Sequence, residues 1–337
     1  MDLKEWNIKT RIKGNVHYVG VNDRNKHRFE GMWPLPYGVS YNSYLIDDEM
    51  VALVDTVDIC YFEVYLRKIK QVIGERPINY LIINHMEPDH SGSIRLIKQH
   101  YPEIIIVGNK QTFGMIEGFY GVTGEQYLVK EGDFLALGHH KLRFYMTPMV
   151  HWPETMMTFD ETDGVLFSGD GFGCFGTVDG GFLDTRINVD KYWGEMVRYY
   201  SNIVGKYGSS VQKALQKLGG LPISAICSTH GPVWTENIAK VIGIYDRLSR
   251  YDADEGVVIA YGSMYGNTEQ MAEAIAEELS AQGVKNIVMH NVTKSHPSYI
   301  IADIFRYKGL IIGSPTYSNQ IFPEVEALLS KDFCCVR

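Results

Sequence analysis

Four side chains that can bind metals lie close together in residues 85–90. They are His85, Glu87, Asp89 and His90, which follow an apolar segment typical of a buried strand. Alternate positions of an extended loop point to the same side, so His85 and Glu87 can reach one ion. Pro88 redirects the chain, and we expect it to send Asp89 and His90 towards a second ion.

Three further residues of the same chemical types stand at the ends of predicted strands. His151 follows the segment 142–150, Asp170 follows 165–169, and His230 follows 223–229. A single histidine in such a place is more often a hydrogen-bonded loop residue than a ligand. Four histidines and three carboxylates, all at strand ends, together predict a site for two metal ions.

The order of these residues resembles the metallo-β-lactamase superfold, whose first loop reads His-x-His-x-Asp-His. In this chain Glu87 occupies the place of the second histidine. That loop is similar to the His-x-Glu-x-Asp-His loop of the flavodiiron proteins, also called A-type flavoproteins. The resemblance implies two irons, one held by His85, Glu87 and His151, the other by Asp89, His90 and His230, with Asp170 as the bridge.

The charges of the ligands agree with a pair of irons. Two divalent ions carry four positive charges, the three carboxylates carry three negative charges, and one bridging hydroxide neutralises the remainder. Hard oxygen ligands stabilise ferric iron, so such a site can change its oxidation state, which zinc cannot do. A zinc hydrolase of the same superfold stays open as an alternative, and so does a binding or electron-carrying protein without turnover.

Residues around the ligands are less well defined by the sequence. The resemblance implies Tyr199 and Tyr200 as catalytic residues beside the metals, whereas their residue types alone indicate aromatic core positions equally well. The loop 27–31 falls where many family members have a histidine near the metals. Its register does not decide between His27 and Glu30, so we assign neither.

A second site is predicted after residue 256. The segment 261–269, YGSMYGNTE, follows a strand, opens a helix and resembles the flavodoxin phosphate loop. Backbone N–H groups, two hydroxyls and the helix N-terminus can hold a phosphate there without a lysine. The loop 313–323 follows the third strand, and flavodoxin-like sheets bind the mononucleotide between these two loops. The implied FMN-binding residues are Ser263, Met264, Tyr265, Gly266, Asn267, Thr268, Ser314, Pro315, Thr316, Tyr317, Ser318 and Asn319, with Tyr317 as a stacking partner.

The pattern of elements places these loops in two domains. Up to residue 250, short apolar strands and amphipathic helices predict helices packed outside stacked sheets. A polar, acidic linker covers 251–256, and beyond it alternating strands and helices predict a doubly wound parallel sheet. We predict an α/β chain with a metallo-β-lactamase-like αββα sandwich over 1–250 and a partial flavodoxin-like sheet over 256–337.

The second domain is predicted to be incomplete. Residues 256–337 suffice for three of the strands of a flavodoxin-like sheet. We therefore expect a C-terminally truncated chain whose third strand has an unpaired apolar edge. The family's third flavin loop would lie in the missing part, so the sequence does not establish that this chain retains FMN.

Composition excludes several classes of function. The chain has 32 Lys and Arg against 40 Asp and Glu, a net charge of −8, without the basic clusters that nucleic acids require. Its apolar runs are too short to span a membrane, and the start MDLKEWNIKT lacks the features of a secretory signal. We expect a cytoplasmic protein. The 5 cysteines form no Cys-x-x-Cys pair, so neither disulfides nor a fused rubredoxin-like unit is expected.

The resemblance finally implies a function and partners. Flavodiiron proteins are oxidoreductases that reduce dioxygen to water, nitric oxide to nitrous oxide, or both. Dioxygen takes four electrons, which a diferrous pair and a reduced flavin hold together. Rubredoxin or a similar carrier is the implied donor, and a head-to-tail homodimer or tetramer would bring one subunit's flavin near another's irons.

Overall fold

Two large β-sheets with helices outside them form the chain before residue 250. The structure, a computed structural model, describes residues 10–335, and the side chains of residues 10–330. The strands are β1 (Arg11–Lys13), β2 (Val16–Tyr18), β3 (Val21–Asp23), β4 (Arg28–Phe29), β5 (Trp33–Pro34), β6 (Val39–Tyr41), β7 (Tyr44–Ile46), β8 (Ala52–Val54), β9 (Tyr80–Ile82), β10 (Ile105–Gly108), β11 (Gln126–Leu128), β12 (Phe134–Ala136), β13 (Lys141–Met146), β14 (Met156–Asp160), β15 (Val165–Gly169) and β16 (Ala225–Ser228). The helices are α1 (Phe62–Ile73), α2 (Pro88–Ser91), α3 (Ile94–His100), α4 (Lys110–Tyr120), α5 (Asp190–Tyr199), α6 (Gly208–Leu218) and α7 (Ile238–Ser249).

Strand order brings the ends of distant strands together. The first sheet has the order β1-β2-β7-β8-β9-β10-β11, and the second has the order β12-β13-β14-β15-β16. Strands β8, β9 and β10 are parallel, as are β15 and β16. The carboxyl ends of parallel neighbours meet at one edge of a sheet, which is where ligand-bearing loops collect in α/β folds.

The buried residues divide between two layers, because successive residues of a strand point to opposite faces. In β8, Ala52 and Val54 belong to the apolar cluster that also contains Phe144 and Phe167 of the second sheet. The residue between them, Leu53, belongs instead to the cluster that includes the helices outside the sheets. The layers therefore run helix, sheet, sheet, helix, which confirms the predicted αββα sandwich.

Helix α1 illustrates how the outer layer forms. Its buried side chains recur every three or four residues, as expected for a helix with one apolar face. They are Phe62, Tyr65, Leu66, Ile69 and Ile73. The helix ends at Gly74, whose φ of 63° suits glycine better than any other residue.

The rest of the described chain forms a smaller parallel sheet. Its elements are β17 (Asp254–Tyr261), α8 (Asn267–Ala281), β18 (Ile287–Asn291), α9 (Pro297–Arg306), β19 (Tyr307–Gly313), β20 (Thr316–Tyr317), β21 (Gln320–Ile321) and α10 (Pro323–Cys335). The three long strands have the order β18-β17-β19 and are all parallel, as predicted for a flavodoxin-like sheet. Strand β17 begins at Asp254, inside the predicted linker, because Asp254 already pairs with Tyr307.

The edge strand of this sheet carries exposed apolar side chains. In β19, Leu310 is 42% exposed and Ile312 is 38% exposed. This matches the predicted apolar edge on the third strand. Within residues 10–335, no helix combines the length and the apolar character needed to cross a membrane.

Candidate metal centre and flavin loops

The first ligand loop changes from extended to helical at Pro88. His85 and Glu87 follow β9 in extended backbone, and Pro88 occupies the first position of the single helical turn α2. Proline suits that position because its φ is already helical and its missing N–H would have no partner there. Asp89 and His90 therefore lie on a helical turn, which agrees with the predicted change of chain direction at Pro88.

The remaining ligands come from the second sheet. His151 lies in the turn between β13 and β14, Asp170 directly follows β15, and His230 follows β16. The residue before Asp170 is Gly169, whose φ of 54° turns the chain sharply at the end of the strand. All seven predicted ligands are buried, with at most 7% of each residue exposed.

Three of the ligands surround one face of Asp170. His151 Nε2 lies 3.1 Å from Asp170 Oδ2 and 3.1 Å from Glu87 Oε2. His85 Nε2 lies 3.7 Å from the same Asp170 oxygen and 3.6 Å from Glu87 Oε2. Donor atoms bound to one ion at about 2.1 Å are roughly 3.0 to 3.5 Å apart, so these four atoms can share an ion.

The other three ligands surround the second Asp170 oxygen. His90 Nε2 lies 3.1 Å from Asp170 Oδ1 and 3.4 Å from Asp89 Oδ1. His230 Nε2 lies 3.6 Å from Asp170 Oδ1 and 3.3 Å from Asp89 Oδ2. Asp170 thus presents Oδ2 to one set and Oδ1 to the other, which is the arrangement of a carboxylate that bridges two ions.

Unsatisfied polar atoms support metal binding at both sets. Among the described residues, the buried atoms without a hydrogen-bond partner include Nε2 of His85, His90 and His230 and both carboxylate oxygens of Asp89. Burying such atoms without partners costs free energy, and native proteins rarely tolerate several in one place. Two cations would satisfy all of them, so the residues fit a dinuclear metal site.

The electrostatics of the cluster also favour cations. Burial alone would lower the pKa of His90, but the carboxylates of Asp89 and Asp170 raise that pKa to about 10. Burial likewise opposes the charged form of His151, whereas contacts with Asp170 and Glu87 raise its pKa to about 10. The carboxylates thus create a negative potential around the histidines, which favours bound cations.

The two predicted flavin loops lie at the same end of the smaller sheet. They follow β17 and β19, which are parallel neighbours. Gly266 precedes α8 with a φ of 89°, and its N–H donates to Ser263 Oγ at 3.1 Å. No atom lies within 4 Å of the position that a Cβ of Gly266 would occupy, so the start of the 15-residue helix α8 is open. This cradle fits a phosphate group.

The second flavin loop is a short hairpin. Strands β20 and β21 pair through Thr316 with Ile321 and Tyr317 with Gln320. Ser318 and Asn319 form the turn with φ of 49° and 61°, as expected for a tight hairpin. Tyr317 is 52% exposed and Tyr265 in the first loop is 89% exposed, so both rings are accessible to a flavin.

Comparisons with known proteins agree with both halves of the structure. Residues 39–231 match the ODP family beta lactamase model, and residues 259–335 match the flavodoxin model. Anaerobic nitric oxide reductase flavorubredoxins of Vibrio vulnificus and Escherichia coli O1:K1 are each 32% identical to this chain over 95% of its length. The rubredoxin oxygen:oxidoreductase of Desulfovibrio gigas superposes with a TM-score of 0.91 at 32% identity, covering 96% of this chain and 81% of that one.

This chain belongs to the flavodiiron proteins. The flavodiiron protein of Giardia intestinalis is also similar, with a TM-score of 0.90, 28% identity, and coverage of 94% of this chain and 78% of that one. The present flavodiiron chain spans about two thirds of the two flavorubredoxins, namely 66% and 68% of their lengths. Membership of this family implies a diiron centre and FMN, and the residues described above fit both groups.

Sequence reasoning missed the hydrogen bonds that orient the ligands of this flavodiiron protein. Glu154 Oε1 lies 2.6 Å from Nδ1 of His85, and the backbone carbonyl of Ser40 lies 2.8 Å from Nδ1 of His230. Thr229 Oγ1 donates to Oδ1 of Asp170. Glu154 stands three residues after His151 in the sequence, but nothing local indicates that it reaches His85.

The two tyrosines predicted beside the metals face different ways. Tyr199 is buried next to the His230 ring, with 5.7 Å between centroids, and its hydroxyl has no partner among the described residues. Burial and the nearby Asp170 raise its pKa well above the usual value, so the hydroxyl keeps its proton. Tyr200 instead packs against Tyr245 and Phe305. Its hydroxyl is also buried without a partner among the described residues, and its catalytic role stays a prediction.

A cavity of about 370 Å³ opens onto the metal ligand His151. Its lining includes Glu30, Trp33, Trp152 and Lys206. Glu30 accepts a hydrogen bond from Trp33 Nε1 at 3.0 Å, whereas His27 is exposed and does not line this cavity. Of the two residues that the sequence left open, Glu30 is therefore the one at the opening of the metal site.

Proposed function

We propose that this flavodiiron protein reduces dioxygen to water, nitric oxide to nitrous oxide, or both, at a pair of iron ions that receive electrons through FMN. The observation that carries the proposal is the position of Asp170, whose two oxygens face two ligand sets of equal composition. Each set adds two histidines and one carboxylate to the shared aspartate. The names of the relatives, nitric oxide reductase and oxygen:oxidoreductase, support the two substrates.

The ligand set supports iron more than zinc. Three carboxylates accompany four imidazoles, and oxygen ligands of this kind stabilise both ferrous and ferric iron. A ferrous pair supplies two electrons and a reduced flavin two more, which together match the four that dioxygen takes. In its catalytic role, Asp170 would hold both ions, one through each carboxylate oxygen.

Protons must reach the site together with electrons. We propose that the buried Tyr199 hydroxyl donates a hydrogen bond to the substrate, because it adjoins the His230 ring and has no other partner among the described residues. Its raised pKa keeps the proton on the tyrosine near neutral pH. The cavity beside His151 and Glu30 is the route by which a small substrate enters.

The cofactor and the partners belong to the same proposal. The loops 263–268 and 314–319 would bind FMN, with the phosphate at the start of α8 and the flavin ring against Tyr317. We propose the division into a diiron domain, 1–250, and an FMN domain, 256–337.

Rubredoxin or a similar carrier would deliver electrons, as the names of two relatives suggest. A head-to-tail homodimer would bring the flavin of one subunit to the irons of the other.

Anaerobic reconstitution tests the proposal directly. The full chain is loaded with ferrous iron and FMN, supplied with a chemical reductant, and given pulses of dioxygen or nitric oxide while electrodes follow their consumption. We expect many turnovers per diiron site, and the preferred substrate is the one consumed faster. Two zinc ions per chain with esterase or thioesterase activity and no gas consumption would contradict the proposal.

A variant outside the metal site provides the matched control for that experiment. Asp184 is a buried carboxylate that accepts the N–H groups of Thr235 and Asn237, each at 2.9 Å. It contacts none of the seven ligands in the described structure. The Asp184→Asn protein should therefore keep its metals and its turnover, so that any loss in a ligand variant is not a general effect of removing a buried charge.

A further inference from the structure

The two metal positions have the same set of direct ligands. One position has His85, His151 and Glu87, and the other has His90, His230 and Asp89, while Asp170 gives one oxygen to each. Two histidines, one carboxylate and one shared oxygen therefore face each ion. Because the two sets have ligands of the same chemical types, the groups behind the ligands are a main source of any difference in affinity between the two positions.

Those groups are different for the two positions. Behind His85, the carboxylate of Glu154 lies 2.6 Å from Nδ1. Behind His230, a neutral carbonyl oxygen, that of Ser40, lies 2.8 Å from Nδ1. Nδ1 of His90 is buried and has no hydrogen-bond partner within the described part of the chain. The buried carboxylate of Asp55 accepts hydrogen bonds from Asn84 and from the backbone N–H of His85 instead.

Glu154 is fixed in place. It is fully buried, and the same oxygen that faces His85 also accepts the backbone N–H of Met86 at 2.9 Å. Its own backbone carbonyl accepts a hydrogen bond from Asn109 Nδ2 at 2.6 Å. The turn that supplies His151 as a ligand therefore also supplies the carboxylate that orients His85.

The bridge adds to this difference. Thr229 Oγ1 donates to Oδ1 of Asp170, the oxygen that faces His90 and His230. A hydrogen bond to a carboxylate oxygen withdraws negative charge from it and weakens it as a metal ligand. Oδ2, which faces the position of His85, receives no such hydroxyl among the described contacts. The carboxylate of Glu154 and the hydroxyl of Thr229 thus both favour metal binding at the position of His85.

We propose that Glu154 makes the two metal positions unequal, so that the position of His85, Glu87 and His151 fills first and holds its ion more tightly. A carboxylate behind an imidazole keeps the proton on Nδ1, aims the Nε2 lone pair at the metal and makes that nitrogen a stronger donor. A neutral carbonyl does this less effectively. The inference rests on the dinuclear site of the proposed function and not on its substrate.

Stepwise metal titration tests the inference. The metal-free full chain is titrated with Zn²⁺ against a chromophoric chelator, and separately with Co²⁺ while its visible absorption is recorded. The unmodified protein should bind two ions in two resolved steps. In Glu154→Gln, the tighter step should weaken about 10- to 100-fold, the weaker step should not change, and the Co²⁺ spectrum of the first ion should shift. Glu154→Asp, which keeps a carboxylate, should recover part of the affinity.

A second buried histidine–carboxylate pair serves as the control. His140 Nδ1 lies 2.9 Å from Asp160 Oδ2, and neither residue is one of the seven ligands. Asp160→Asn changes the same chemistry at a comparable depth and should leave both steps of the seven-ligand site unaltered. Any further, separate step that it removes would belong to the group of His140, Asp160 and Asp163.

The outcomes separate this inference from the proposed function. Two equal affinities in the unmodified protein, or an equal weakening of both steps in Glu154→Gln, would overturn the inference and leave the dinuclear site standing. If neither step changed in Glu154→Gln, the inference would also be overturned. A protein that binds no metal at all would overturn the proposed function and this inference together. None of these outcomes depends on a measurement of gas consumption.

Discussion

The metal centre and the flavin loops of this chain are built in opposite ways. All seven metal ligands are buried, and they come from both sheets of a packed sandwich. The flavin loops lie at the edge of a three-stranded sheet, and Tyr265 and Tyr317 are largely exposed. The difference means that the core of the sandwich holds the metal ligands from all sides, whereas the flavin loops present exposed groups at the end of a small sheet.

The largest effect is expected from Asp170→Asn, which neutralises the shared ligand. We expect loss of at least one ion and a fall in turnover of more than about 100-fold, because a direct ligand matters more than the groups behind it. Metal content after desalting and gas consumption measure the two effects. FMN binding should not change. If Asp170→Asn also lost FMN in the same proportion, the two regions would not be independent.

A smaller loss is expected from Tyr199→Phe, which removes only a hydroxyl. If Tyr199 donates a hydrogen bond to the substrate, turnover should fall about 10- to 100-fold while both metals stay bound. Tyr200→Phe is the neighbouring control, because Tyr200 packs against Tyr245 and Phe305. Equal losses in the two variants would mean that the effect is one of packing.

Gly266→Ala should affect only the flavin loops. Gly266 has a φ of 89°, and a Cβ there would meet no atom, so the cost is backbone strain alone. That strain is about 1 to 2 kcal/mol, which corresponds to roughly a tenfold loss of FMN affinity if binding requires this conformation. Fluorescence titration with FMN measures it.

Gly283 provides the control for that variant. It lies beyond the other end of α8 with a φ of 94° and equally open space. Gly283→Ala should lower the stability to a similar extent but leave the FMN affinity unchanged. Equal effects of the two variants on FMN would show that the loop acts only through the stability of the sheet.

A change in fold stability, not in either site, is expected from a buried pair that is not among the seven ligands. Burial alone would lower the pKa of His140, but Asp160 raises it above 6.5. Their interaction therefore stabilises the fold fully below about pH 6.5 and fades as pH rises through the raised pKa. Asp160→Asn should cost about 1.5 to 3 kcal/mol of unfolding free energy at pH 6, and the cost should shrink at higher pH. Urea denaturation at several pH values checks this, and a pH-independent cost would contradict it.

The sequence predicted the metal ligands because each one stands at a strand end within a recognisable order. It could not predict their supports, because these join residues far apart in the chain, such as Glu154 with His85. The sequence also does not predict the π-helix Tyr200–Val204. This π-helix follows α5 directly and begins at Tyr200, which packs against Tyr245 and Phe305, whereas Tyr199 lies beside His230.

Two helices have weak sequence signals, for different physical reasons. Helix α4 contains Gly114 and Gly118, which lower its helical propensity, although Asn109 is a good N-cap that accepts two N–H groups. Helix α9 contains the mostly apolar segment YIIADIF. Its isoleucines are β-branched, so the segment is equally typical of a buried helix and of a buried strand. The Pro297 at its start was the usable signal.

The division of the ligands between the sheets has a mechanical consequence. Four ligands follow β9 in the first sheet, and the other three follow β13, β15 and β16 in the second. Coordination therefore cross-links the two sheets of the sandwich. Ions that bind only the folded chain raise its melting temperature. A chelator should therefore lower the melting temperature of the sandwich.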